Sequence, residues 1–199
     1  MEPQEKNVTD EFMLKEYENI ASAHFDSQNG LRQQFRFYLL ISAVPLTVLG
    51  FTFKLETDIQ HIGLFDLPKL LAAAFFGIGF LGLLMLLSMI HTALDATLYA
   101  RTVNGIRRYF VDRATAGGTT LNPYLKMPIA LDRPRYFHIR AFFWQVILVS
   151  AVNTAYMEVG VRNYTKSCVA TSGVILLFIV QLGAYFVFSW VRERKEISG

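Results

Sequence analysis

LLAAAFFGIGFLGLLMLLSMIHTA, Leu70 to Ala93, is a run of 24 residues without one charged side chain. A helix of about 20 apolar residues, rising 1.5 Å each, crosses a hydrocarbon core of roughly 30 Å. This stretch is therefore long enough to span a membrane. Its Leu81–Leu87 centre, LGLLMLL, lacks the polar–apolar alternation that a membrane barrel strand needs. The run reads as a helix.

Three more uncharged runs accompany it: Phe37–Phe53 with 17 residues, Ala141–Met157 with 17, and Cys168–Val191 with 24. One 17-residue run taken alone fits a buried core helix of a soluble protein. The set does not, because a chain of 199 residues has no soluble surface large enough to hide two runs of 24. Composition agrees. Hydrophobic residues reach 53% and charged residues only 18%, with mean hydropathy +0.33, where about 25% charged is ordinary. Disorder, a coiled coil and a disulfide-stapled secreted domain are excluded, the last because Cys168 is the single cysteine. The expected fold is an all-alpha membrane protein with four transmembrane helices and helical cytoplasmic extensions.

Charge orients it. Fifteen of the 19 basic residues lie before the first run, between the second and third, or after the fourth. Only Lys54, Lys69, Arg162 and Lys166 fall in the two hairpin connections. A Lys/Arg excess marks the cytoplasmic face, so both termini and the central segment are expected inside. The resulting divisions are a cytoplasmic N-terminal helix (1–36), a first transmembrane hairpin (37–93), a cytoplasmic helix with a Pro/Gly-rich connection (94–140), a second hairpin (141–191) and a tail (192–199). Asn29–Gly30 predicts a break or kink in the N-terminal helix. The second span is expected to run on as a helix to Ala114. Pro134 with Arg135, Tyr136, His138 and Arg140 suggests a helix start or interfacial lead-in, and Phe35, Phe37, Tyr38, Phe142, Phe143, Trp144 and Trp190 suggest interfacial aromatics. The net charge of +3 reads as topology, with no nucleic-acid partner implied.

Gly77-Ile-Gly-Phe-Leu-Gly82 matches a dinucleotide fingerprint in letters only. That fingerprint needs a preceding strand and a tight turn, whereas this string sits inside an apolar helix. There the small residues Gly77, Gly79 and Gly82 serve close helix packing. Gln145, Ser150, Asn153 and Thr154 place amides and hydroxyls in the third span, and Gln181 lies in the fourth. Two readings stand: polar glue between helices, or a pore or assembly face of an oligomer. No ionisable residue lies near the centre of any span, which disfavours a proton relay or ion-coupled pump. His91, Asp95 and Tyr99 form a polar ladder at one-turn spacing, with too few ligands for a metal site within one subunit. Arg101, Arg107 and Arg108 are expected to line a cytoplasmic vestibule or contact lipid headgroups. Neither G-x-S-x-G nor H-E-x-x-H occurs, so catalytic, cofactor and metal sites are all expected to be none, and the chain is not read as an enzyme.

The layout resembles a known group through three stretches: Glu16-Tyr-Glu-Asn-Ile20 before an arginine-flanked span, Leu98-Tyr-Ala-Arg101, and Asn104-Gly-Ile-Arg-Arg-Tyr-Phe110. In these it is similar to the RipA-like octameric bacterial membrane proteins, and more distantly to small transmembrane effectors of bacterial immune systems. The resemblance implies a multi-pass homo-oligomer of the bacterial inner membrane. For the effector relatives it implies membrane permeabilisation in antiviral defence. The functional expectation is thus an oligomer with a channel-like or membrane-permeabilising role. The alternatives are a membrane scaffold or regulatory subunit docking a cytoplasmic protein partner, and a small transporter. Membrane lipid is an expected partner throughout.

Overall fold

The computed structural model describes residues 8–55, 69–119, 129–137, 139, 141–165 and 169–198. Within them the secondary structure is entirely helical: α1 (Val8–Leu55), α2 (Lys69–Ala116), α3 (Ala141–Thr165) and α4 (Val169–Ser198). Three of these contain stretches long and apolar enough to cross a membrane: Lys69–Ala116, Phe142–Asn163 and Ser172–Glu196. The Phe37–Phe53 run is helical too, inside α1, but is not among those three. The chain is an all-alpha, multi-span helical protein. Both hairpin connections, with His61, Lys166 and Cys168, lie outside the described residues, as do Pro123, Pro128, His138 and Arg140.

Two compact units share the long helices. A polar unit takes residues 1–30 and 92–136, and an apolar unit takes 31–91 and 137–199. The break predicted at Asn29–Gly30 is absent, because α1 runs through it. A Cβ added at Gly30 would meet nothing within 4 Å, so the glycine serves no close contact. Its helix penalty of about 1 kcal/mol is outweighed by side chains anchored on both sides. The less exposed positions of α1 explain how. Asp10, Met13, Tyr17, Ile20, His24, Ser27, Leu31, Gln34, Tyr38, Ile41 and Pro45 recur at alternating steps of three and four, the spacing of a heptad seam.

In the polar unit α1 and α2 run antiparallel. Asp10 meets Tyr109 and Arg113, Tyr17 meets Arg107, and His24 meets Ala96. Helix α2 ends as its glycines dictate. Thr119 N–H donates to Ala114 O at 2.8 Å and Gly118 N–H to Thr115 O at 3.0 Å, with Gly118 at φ 79°. This is the Schellman ending, whose left-handed residue has no Cβ to clash. The segment from Ile129 to Tyr136 is not the helix start that Pro134 suggests. It is a turn-rich strap, fastened to α2 through its own carbonyls.

In the apolar unit, small residues let helices approach closely. A Cβ on Gly79 would lie 3.0 Å from the Asn153 carbonyl, one on Gly82 would overlap the Asn153 side chain, and one on Gly160 would lie 2.8 Å from Phe76 N. The descending pairing sets α2 antiparallel to α3. Phe75, Tyr156 and Val159 fill the seam with Leu71, Ile78 and Val152 around them, and the Phe75 and Tyr156 rings meet edge to face at 5.2 Å. Gly77 takes no part in this packing, with nothing within 4 Å of its would-be Cβ. Only two of the three glycines of the apparent fingerprint are packing glycines. Pro45 sits inside α1 without ending it. Proline removes one backbone donor, a defect that membrane helices tolerate when neighbours satisfy the freed groups. The carbonyl freed by Pro45 is that of Ile41, and the next one along, Ser42 O, accepts a hydrogen bond from the Tyr156 hydroxyl of α3.

Candidate functional site

The span polar residues converge on a four-membered network. The Tyr38 hydroxyl of α1 donates to Asn153 Oδ1 at 2.8 Å and also lies 3.2 Å from Val149 O. Asn153 Nδ2 donates to Gln181 Oε1 of α4 at 3.2 Å, and Gln181 Nε2 donates to Thr154 Oγ1 at 3.1 Å. All four side chains are buried within one chain. Three helices are thereby tied at one level by neutral groups. In hydrocarbon such groups have no water to turn to. Asn153 and Thr154 are thus buried and hydrogen-bonded between helices of a single chain. Tyr38 is likewise no interfacial aromatic, since its ring is buried and its hydroxyl engaged. Trp144, Trp190 and Phe37 do remain exposed.

Other polar atoms of this unit are buried without a protein partner among the described residues: Gln34 Oε1, Gln145 Oε1, Ser150 Oγ and Ser189 Oγ. Gln34 Nε2 does reach Ser88 Oγ, at 3.3 Å. Ser150 and Ser189 are wholly enclosed. Buried hydroxyls of this kind are met by ordered water in most proteins.

The three arginines expected at a vestibule or lipid surface have different fates. Arg101 is buried, with Nε donating to Pro134 O at 2.8 Å and its guanidinium 4.3 Å from the Tyr136 ring centroid. Asn104 beside it donates to Arg133 O at 2.8 Å. Together they join the strap to α2, and Arg101, expected at an exposed vestibule or headgroup surface, is instead buried against it. Arg107 is half-buried. It donates to the Tyr17 hydroxyl at 3.2 Å and to Asn104 Oδ1 at 3.4 Å, and stacks on the Tyr17 ring at 5.7 Å. Arg108 alone is exposed, 3.6 Å from Asp112 one turn on.

The ladder residues His91, Asp95 and Tyr99 share α2. The His91 ring lies 5.2 Å from Phe188, and no group of three potential metal-binding side chains occurs among the described residues.

Between α1 and α2 of the polar unit lies a groove of about 440 Å³, lined by Tyr17, Ala21, His24, Phe25, Ala100, Val103, Asn104 and Arg107. Its volume is in the range of small-molecule sites, roughly 300–1,000 Å³. Alanines on both walls open it, and Arg107, Tyr17 and His24 supply its polar groups. Of the groove residues, only Arg107 is expected from sequence to belong to a site. The others read there as ordinary members of two amphipathic helices, because pairing between segments so distant in the chain leaves no local signal. No family model, curated protein or solved structure matches this chain.

Proposed function

We propose that the chain is a four-pass protein of the bacterial inner membrane, both termini and the polar unit being cytoplasmic, in which the polar unit docks a cytoplasmic protein. Phe37–Phe53, helical and uncharged, supplies the fourth span. The distribution of Lys and Arg supports the orientation. The observation that carries the docking role is the surface of α1 in the polar unit. Phe12, Leu14 and Phe25 stand 64%, 53% and 67% exposed on a helix that also bears Glu11, Glu16, Glu18 and Asp26. Exposed apolar side chains on a helix segment whose carboxylates outnumber its one lysine, Lys15, suit a partner that is basic and carries apolar side chains of its own. The role is non-catalytic.

A photo-crosslinking residue placed at Phe12 and at Phe25 in cells tests this. Docking yields one discrete heterologous adduct at each position, lost when neighbouring Glu16 and Glu18 become Lys. Absence of any adduct contradicts it.

A second reading, the homo-oligomer with a channel-like or permeabilising role, rests on the unpartnered oxygens of Gln34, Gln145, Ser150 and Ser189. A hydrated interior is a precondition for conduction. The resemblance to the octameric family adds self-assembly to that reading. It requires that crosslinks join two copies of the chain and that purified protein carries current across a planar bilayer.

A further inference from the structure

We infer that the groove of the polar unit is a binding site for a small anion carried on a flat apolar body. Arg107 is the reason for the charge. Both of its hydrogen-bond acceptors are neutral, the Tyr17 hydroxyl and the Asn104 side-chain carbonyl. A guanidinium has five N–H donors, so donors remain. The charge of Arg107 sits half-buried in an apolar-walled groove with no carboxylate against it among the described residues. Such a cation gains most from an anion that arrives with it into low dielectric.

Two further groups complete the polar end. Tyr17 accepts from Arg107 and keeps its own O–H to donate. His24 Nδ1 lies 2.9 Å from the Ala96 carbonyl. A carbonyl only accepts, so Nδ1 carries the proton, and Nε2 of the neutral ring is an acceptor, placed to take a hydrogen bond from an O–H of the ligand while Arg107 and Tyr17 donate to its anionic oxygens. One guanidinium, one phenol and one imidazole nitrogen therefore line one groove.

The walls decide the body. Ala21 and Ala100 are small enough to leave space where larger side chains would fill it, Val103 forms an apolar wall, and the rings of Tyr17, His24 and Phe25 offer faces. Phe25 meets His24 edge to face at 5.9 Å while two-thirds of it remains exposed. An exposed ring at the rim of a groove is placed to cover a planar ligand. Aromatic pairs add about 0.5–1.5 kcal/mol beyond burial, and a cation stacks on the same faces. A phosphate or carboxylate attached to a ring fits this set, whereas a bare inorganic anion leaves the apolar walls unused.

This site shares Phe25 with the proposed docking surface, whereas Arg107 and Ala21 belong to the groove alone and Phe12 and Leu14 to docking alone. Full-length protein in phosphatidylcholine nanodiscs, which present no anionic lipid, is titrated calorimetrically with phenyl phosphate, phenol and inorganic phosphate. Phenyl phosphate is expected to bind one to one, at least about tenfold tighter than either half alone. Arg107→Gln should weaken it about tenfold or more. Ala21→Leu, which fills the groove, should abolish it, and Phe25→Ala, a change at an exposed ring that leaves the fold intact, should weaken it severalfold. Circular dichroism establishes that each variant keeps its helix content. With ¹⁵N-histidine labelling, the His24 ring resonances should move on binding in the wild type and stay still in Ala21→Leu. The inference is overturned if phenyl phosphate fails to saturate, if phenol binds equally well, if inorganic phosphate alone accounts for the affinity, or if Arg107→Gln and Phe25→Ala bind as the wild type does. It is also overturned if phosphatidylglycerol nanodiscs shift the His24 signals while phenyl phosphate does not, since the anion is then a lipid headgroup.

Discussion

The polar and apolar units are built with the same device and different chemistry. In each, a tyrosine hydroxyl bridges two helices: Tyr17 and Tyr109 in the polar unit, Tyr38 and Tyr156 in the apolar one. In the polar unit the other group is charged, Arg107 for Tyr17 and Asp10 for Tyr109, and water competes for it. The Arg113–Asp10 pair is partly exposed. In the apolar unit the other group is an amide or a backbone carbonyl, and no solvent reaches it. A charged partner suits a site where water can screen its cost, whereas in hydrocarbon only neutral groups are tolerated. The same contrast sorts stability from function. The neutral network is satisfied and closed, while the half-buried Arg107 has donors to spare.

That contrast can be broken at several depths. The largest effect is expected where two helices touch through a missing side chain. Gly82→Leu would drive a side chain into Asn153 and should lower stability by about 3 kcal/mol, the upper range for overpacking. Gly77→Leu, with open space around it, should stay within about 0.5 kcal/mol. Denaturant titration in mixed micelles reads both. Equal losses would mean that α2 and α3 do not approach at Gly82.

Arg101→Ala comes next. It removes the strap's fastener and a ring contact, at about 2 kcal/mol. Amide exchange should quicken across 129–136 and leave α3 untouched. If exchange quickens in α3 and not in the strap, the fastener is misplaced. Tyr38→Phe deletes one hydroxyl from the closed network and should cost about 1 kcal/mol, within the range for hydrogen bonds between membrane helices. Arg113→Ala should be the mildest, with a small loss of melting temperature at low salt that vanishes at high salt, as screening of an exposed pair requires. A salt-independent loss would place that pair among the structural contacts.

Different parts of this architecture are legible in the sequence to different degrees. The long uncharged runs declare helices because nothing else buries 24 apolar residues in sequence, and α2 continues to Ala116 because no proline or paired glycine interrupts it earlier. The helix through Asn29–Gly30 is hidden, since local propensity opposes it and its anchors lie on another helix. Gln145 and Asn153, eight apart, look equivalent along α3. Only the register against α1 and α4 shows that Asn153 has two amide and phenol partners while Gln145 Oε1 has none among the described residues. Arg101 and Arg108 also look alike in sequence, yet one faces the strap and the other solvent. The groove arises from Ala21 opposite Ala100, a coincidence of register that no local pattern encodes.

Asn153→Val decides most directly whether the span polar groups lock one chain or line a passage. Purified variant and wild type in matched nanodiscs would be compared by denaturant unfolding and, after fusion, by current across a planar bilayer. Loss of about 1–2 kcal/mol of stability, faster amide exchange around Tyr38 and Gln181, and unchanged current are the predicted result. Unchanged stability together with altered current would contradict it, because Asn153 would then be facing ions and not Tyr38.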